Sequence, residues 1–354
     1  MSGNDIQVEL IHAVEKAIEQ KQPLAIHGSN SKNFLGNEIT GKPVDVSMHS
    51  GIIEYEPSEL FITAKCGTPL KELESILRDN GQILPFEPPS FTSADTLGGT
   101  VACGLSGPRR AYANPIRDCI LGAHIINGKA EYLTFGGNVM KNVAGYDASR
   151  LMCGAYGTLG IIMQVSIRVA PKPQHEMTTV LECSENQAIT QLNRWTQTHF
   201  PITASFFHDN LLHIRLEGLQ NSVVNTHKKI GGEPLSSSKE FWCSVKNHQH
   251  DFFNSDLPLW KLVIPQNTPA LSISGKTSLE WNGGLRWLTS NEDSENIINA
   301  CKRSRGSATL FKSTSKPNDH LPDLPIGLKN LHIKIKSAFD PDNIFNQGRQ
   351  YSWC

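Results

Sequence analysis

Three stretches of this 354-residue sequence combine glycines with hydroxyl and amide side chains, the types that let a backbone approach a flat or anionic ligand. The first is Ile26-His27-Gly28-Ser29-Asn30-Ser31-Lys32, at the end of a short apolar run. Its small residues can point successive N–H groups into one concavity, a nest that holds a pyrophosphate without side-chain charge. Gly28 stands where a Cβ is not tolerated. The second is Pro88-Pro89 followed by Asp95-Thr96-Leu97-Gly98-Gly99-Thr100-Val101-Ala102, where two adjacent glycines open the backbone and Thr96 offers a hydroxyl. It is not a GxGxxG string between a strand and a helix, which argues against a nicotinamide cofactor. The third, Gly154-Ala155-Tyr156-Gly157-Thr158-Leu159-Gly160-Ile161-Ile162, again presents backbone ahead of a β-rich run. Taken singly, each stretch also fits an ordinary structural turn.

The surrounding pattern says which elements must position these loops. Apolar residues recur at helical spacing over 6–20, and Pro23 to His27 reads as a short strand feeding the first loop. Strand-like pieces follow in PVDVS, GIIEYEP and ELFITAKCG. Residues 69–80 form a helix with Pro69 in its first turn and Gly81 just past its end. ILPFEPP is extended, because its prolines forbid a helix. Two strands, CILGAHIING and AEYLTFG, flank a turn at Asn127-Gly128. GYDASRLMCGAYGTLG is helix then turn, and IIMQVSIRVAP is a strand closed by Pro171 and Pro173. Beyond about residue 173 the Gly-rich loops stop and Gln, Asn, Ser and His become frequent. This reads as a second, more variable α/β domain over 174–325, followed by a last helix, GLKNLHIKIKSAF, and the tail DPDNIFNQGRQYSWC.

Composition excludes several functions. Lys plus Arg number 33 against 34 Asp plus Glu, so no basic excess points to nucleic acid. The polar N-terminus lacks the basic and apolar regions of a secretory signal, and no apolar run approaches the ~18 residues that span a bilayer. The eight cysteines form no CxxC pair, which argues against a zinc or iron–sulfur site and for reduced thiols. No metal site is expected. His208–His213 reads as a surface turn and strand, and His248-Gln249-His250 as a solvated loop. The cations Arg109, Arg110, Arg117 and Lys141 read either as a solvated basic surface or as a region facing an anion or a partner.

In this order and spacing, the three loops resemble the FAD-binding domain of the p-cresol methylhydroxylase/vanillyl-alcohol oxidase family, over residues 20–173 and the C-terminal tail. The resemblance implies an α+β fold: a two-subdomain FAD-binding domain at 1–173, a shortened α/β cap at 174–325, and a segment at 326–354 that packs back on the FAD domain. It implies that Gly28, Ser29, Asn30, Ser31 and Lys32 cradle the FAD diphosphate. Pro89, Thr96, Gly98, Gly99 and Ala102 would lie along the diphosphate and flavin, and Gly154, Thr158, Gly160 and Ile162 would contact the nucleotide half. Asn30 stands where some relatives carry a flavin-linking histidine, and His27 aligns with no linkage residue, so FAD is expected to be bound noncovalently.

LPFEPP, GLSGPRR, IRDCILG, FGGNVMKNVAGYDASRLM and EWNGGLRWL are similar, more narrowly, to the small FAD-binding subunits of glycolate oxidase complexes. That likeness implies a flavoprotein oxidoreductase acting on CH–OH groups, which helps oxidise the 2-hydroxy acid glycolate to glyoxylate. Its partners would be a larger FAD-binding subunit and an iron–sulfur subunit, in the cytoplasm or at the inner face of the membrane through the complex. The competing readings are a stand-alone dehydrogenase, for D-lactate for example, and a non-redox scaffold with a flavin fold. No catalytic base stands out. The cap lacks the histidine-rich HxxGDGNxH string of the larger relatives, and Arg286 is the one cap arginine singled out as able to grip a carboxylate in two-pronged fashion.

Overall fold

A computed structural model describes residues 3–138, 145–313 and 321–354. Lys141 and half of the string GGNVMKNVAGYD lie outside the described residues. The chain divides into two compact units, one of residues 1–105, 115–171 and 316–354, the other of 106–114 and 172–315.

In the first unit, a five-stranded antiparallel sheet runs in the order Ile52–Glu56, Phe61–Lys65, Ile161–Arg168, Ile120–Ile126, Tyr132–Gly136. The middle strands are apolar almost throughout, as expected of strands covered on both faces: Ile62, Ala64, Ile120, Ile125, Ile161, Met163, Val165 and Ile167 are all buried. A separate parallel pair, Leu24–His27 with Lys42–Asp45, launches the first loop. The helix Leu70–Asp79 buries Leu70, Leu73 and Leu77 and starts after Pro69 as its pattern predicts. The Gly-rich stretch after Asp95, by contrast, is not all loop. Leu97–Cys103 is a two-turn helix, capped by Thr96 and ended by Gly104 in the left-handed region at φ 64°.

The hairpin at Asn127 also differs from a two-residue Asn-Gly turn. Strand pairing closes at Ile126 and Tyr132, and Asn127 Oδ1 accepts from the N–H groups of Lys129 and Glu131. Gly128 is needed for another reason. Its N–H donates to Phe339 O, and a Cβ there would sit 2.6 Å from Asp340 Cα. The C-terminal segment is therefore seated in the first unit. Lys336 Nζ, buried, donates to Asp340 Oδ2, Thr158 O and Phe345 O, and Leu24 N–H donates to Ile344 O.

The second unit is an eight-stranded antiparallel sheet with the helices Glu185–Trp195, Gln220–Ile230, Ser238–Lys246 and Ser294–Arg303. It takes in residues 106–114, a difference from boundaries read at 173 and 325. The reason is specific bonding: Trp281 Nε1 donates to Gly107 O at 3.0 Å, Arg109 Nη2 to Glu217 Oε1 at 2.8 Å, and the Tyr112 hydroxyl to Asn282 Oδ1. No helix among the described residues is long and apolar enough to cross a membrane.

Candidate functional site

The first two Gly-rich stretches meet around one side chain. Thr96 Oγ1 accepts from Gly99 N–H at 3.2 Å, fixing the start of the helix Leu97–Cys103. A Cβ on Gly28 would lie 2.8 Å from the same oxygen, so loop 28–32 approaches the helix this closely only with glycine there. Between them opens a cavity of about 340 Å³. Its walls include Gly28, Ser29, Asn30, Ser31 and Lys32 from the first stretch and Thr96, Gly99 and Ala102 from the second.

The remaining expected site residues are not on this wall. Gly98 is a packing glycine: its N–H donates to Cys66 O, and a Cβ would come within 2.6 Å of Cys66 Cβ. Pro89 also lies off the cavity. From the third stretch only Tyr156 lines it. Gly154 and Gly160 shape the turn with positive φ, Thr158 donates its hydroxyl to Ala155 O, and Ile162 is buried in the sheet.

Several wall residues were not singled out in the sequence: Glu38, Ile39, Cys103, Tyr156, Asn346 and Arg349. Asn346 ties the two halves of the wall together. Its Oδ1 accepts from Ile26 N–H at 2.7 Å and its Nδ2 donates to Tyr156 O at 2.8 Å. One amide thus fixes the strand before the first loop to the turn of the third. The only signal for it was the closing string DPDNIFNQGR, which marks a segment and not a contact.

Charge on the wall is organised unevenly. Lys32 Nζ lies 3.1 Å from Asp95 Oδ2, and both side chains are buried. Burial pushes the Asp95 carboxyl up, but the Ser31 hydroxyl, the Lys32 ammonium and the Phe91 N–H outweigh it and hold the pKa below the ordinary 3.8. Lys32 is thus a brace between the two loops whose charge is already answered. Arg349 is bonded to neutral oxygens, Asn37 O at 2.7 Å and Asn33 O and Oδ1 at 3.4 and 3.3 Å. Burial lowers its pKa, although Cys103, Tyr156 and Glu38 oppose this. Burial likewise raises the Cys103 thiol to about 11, so it stays protonated at neutral pH.

Candidate chemistry in the second unit resolves differently. Arg286 is 1% exposed. It donates to Thr268 O, Pro269 O and Gly283 O, with Glu185 at 3.7 Å, and so braces a loop inside its own unit. Of the four expected cations, Arg109 bonds Glu217 and Arg110 stacks 4.3 Å from the Trp281 ring, both within the second unit; Arg117 belongs to the first unit, and Lys141 lies outside the described residues. His208 and Leu211 flank a two-residue turn, Asp209-Asn210, with both residues at positive φ. His213 stacks on Phe241 at 4.1 Å, and burial drops its pKa to about 4. The 248–250 segment is solvated only in part: Gln249 is exposed and both histidines are half-buried. His248 stacks on Phe253 at 4.3 Å with its pKa driven to about 3 by burial, and His250 packs edge-on to Phe206. Among the described residues no group of three or more His, Cys, Asp or Glu side chains could hold a metal ion.

The chain is similar in sequence and in fold to known proteins. Residues 7–136 fit the family described as "FAD binding domain". The sequence is 41% identical, over 98% of this chain and 98% of the relative, to "Glycolate oxidase subunit GlcE" of Escherichia coli (strain K12). It is 29% identical, over 48% of this chain and 36% of the relative, to "Glycolate oxidase subunit GlcD" of Bacillus subtilis (strain 168). In fold it resembles an alkyldihydroxyacetonephosphate synthase structure with a TM-score of 0.65 at 17% identity, covering 96% of this chain and 74% of that one. With an FAD binding domain match over residues 7–136 and 41% identity across 98% of both chains, the chain belongs to the glycolate oxidase subunit GlcE family.

Proposed function

We propose that this chain is the small FAD-carrying subunit of a glycolate oxidase complex, which oxidises glycolate to glyoxylate together with a larger FAD-binding subunit and an iron–sulfur subunit. The observation that carries this is the near full-length likeness to the GlcE subunit, joined to a cavity whose wall is mostly backbone and small polar groups. The residues suit the diphosphate of a dinucleotide. Gly28 and Gly99 leave room beside Thr96 that a Cβ would take, and the loop after His27 offers N–H groups and hydroxyls instead of competing carboxylates. Bound there, FAD would supply two-electron redox chemistry that the side chains lack.

The chain's own part is binding, orientation and exclusion of water. Loop 28–32 would face the diphosphate, with Thr96 and Gly99 along it. Pro89, Gly98, Gly154, Thr158, Gly160 and Ile162 would act one layer behind, by holding the loops in place. Asn30 has no nucleophile for a flavin linkage, so the cofactor is held reversibly. Acid precipitation of purified protein is expected to leave yellow FAD in the supernatant, and colour retained on the denatured chain would refute this.

The occupied fork of Arg286 favours the complex over a stand-alone 2-hydroxy-acid dehydrogenase, because it removes the one cap arginine read as a carboxylate grip. The deciding experiment is anaerobic mixing with glycolate. Flavin on the isolated chain is expected to stay oxidised, and to bleach once the larger subunit is added. Rapid bleaching of the isolated chain by glycolate or D-lactate would favour the stand-alone enzyme. Co-purification then reports whether the iron–sulfur partner, and through it the inner membrane face, belongs to the assembly.

A further inference from the structure

The cavity holds two cations, and they are not equivalent. A diphosphate brings about two negative charges into a partly buried space, where charge left unanswered is costly. Lys32 is already neutralised by Asp95, and both side chains are buried. Arg349, 8% exposed, sits on the same wall and donates its hydrogen bonds to carbonyl and amide oxygens. Among the described residues no carboxylate lies within ion-pair distance of it. Glu38, the remaining charged wall residue, is exposed and acts on Arg349 through space without an ion-pair contact. A guanidinium has five N–H donors in a rigid fork, and the bonds to Asn37 and Asn33 do not use all of them.

We infer that Arg349 is the cation that receives the phosphate oxygens of the cofactor. The inference rests on the FAD reading above and deepens it. Burial lowers the pKa of Arg349, a cost that an adjacent anion relieves. Arg349 also holds the Asn33 and Asn37 carbonyls and so fixes the far end of the first loop. Phosphate recognition would then come from residues 28–32 and from the C-terminal segment jointly, and the site would be incomplete without the chain's last residues.

The test is equilibrium titration of flavin-free protein with FAD, for wild type, Arg349→Gln and Arg349→Lys, at low and high salt. Circular dichroism and melting temperature control for the fold. Arg349→Gln is expected to weaken FAD binding by roughly 10–100-fold at low salt, the worth of a charge-assisted hydrogen bond. Arg349→Lys should recover part of that loss, and the gap between wild type and Arg349→Gln should narrow in high salt. A purely structural role predicts the opposite, with Lys and Gln equally harmful and the gap indifferent to salt. That result, or an Arg349→Gln affinity within about twofold of wild type, would overturn the inference. Wild type failing to bind FAD would instead overturn the reading on which it rests.

Discussion

Replacing Lys32 by Met separates a brace from a cofactor ligand. Methionine keeps most of the stem and removes the ammonium, so Asp95, 1% exposed, loses its counter-charge without gaining water. Breaking a buried pair from one side costs about 3–5 kcal/mol. Asp95 keeps the Phe91 N–H at 2.8 Å and the Thr92 hydroxyl at 3.2 Å, which places the loss near the lower end, about 3 kcal/mol. For a unit of about 200 residues that lowers the melting temperature by roughly 6–12 °C. The pH dependence carries the sign. In the wild type the folded pKa of Asp95 lies below 3.8. Its contribution to stability is therefore complete above 3.8 and is lost as pH falls through the lowered value. Removing Lys32 raises the folded pKa, so the carboxylate takes up its proton sooner on acidification. The stability gap between variant and wild type should be widest near neutral pH and close towards and below 3.8. Urea unfolding at several pH values measures it. A gap that is absent, or constant with pH, refutes the ion-pair argument. A variant that folds as stably as wild type yet has lost FAD would show that Lys32 serves the cofactor instead.

Gly99→Val should keep a native circular dichroism spectrum and lose flavin, since its Cβ meets only Thr96 Oγ1, at 3.1 Å, beside the cavity. The neighbouring Gly98→Val should instead lower the melting temperature or the soluble yield, with a Cβ 2.6 Å from Cys66 Cβ; equal behaviour of the two would undo the distinction. Asn346→Ala leaves Ile26 N–H and Tyr156 O without their partner, and is expected to cost about 1–3 kcal/mol in urea unfolding and to weaken FAD binding. Arg286→Leu should destabilise the second unit while leaving glycolate-driven bleaching per bound flavin unchanged in the assembled complex. A selective loss of bleaching would return Arg286 to the substrate.

What could be read in the sequence was what local physics writes there. Pro69, the spacing of Leu70, Leu73 and Leu77, and Gly81 delimit a helix without outside help. The apolar run Ile161–Arg168 is a covered strand by composition alone. The first loop and half of the second reached the cavity because small residues are the means by which backbone comes close. The same signal also picks out Gly98, Gly154 and Gly160, which do not line this cavity, since glycine is equally required where two backbones pass or where φ is positive. His248 and His250 misled for a related reason. Their polar surroundings in sequence resemble a surface loop, yet Phe206 and Phe253, distant and near in the chain, supply aromatic faces that half-bury them.

The largest omission was the part of the site built across the whole chain. Asn346 reaches Ile26 over 320 residues and Arg349 reaches Asn37 over 312, and no periodicity or local motif encodes a pairing at that separation. Contacts at such separation carry a large loop-closure cost that local sequence does not report. The first loop has its glycine and hydroxyls from the start. Its shape depends on a carbonyl grip and an amide bridge that exist only once the segment after Asp340 is bolted down through Lys336. If FAD occupies this cavity as proposed, its binding and the seating of the C-terminal segment would be coupled in the first unit. The residues that join them are side chains bonding to main-chain atoms, a class of interaction that residue type alone does not reveal.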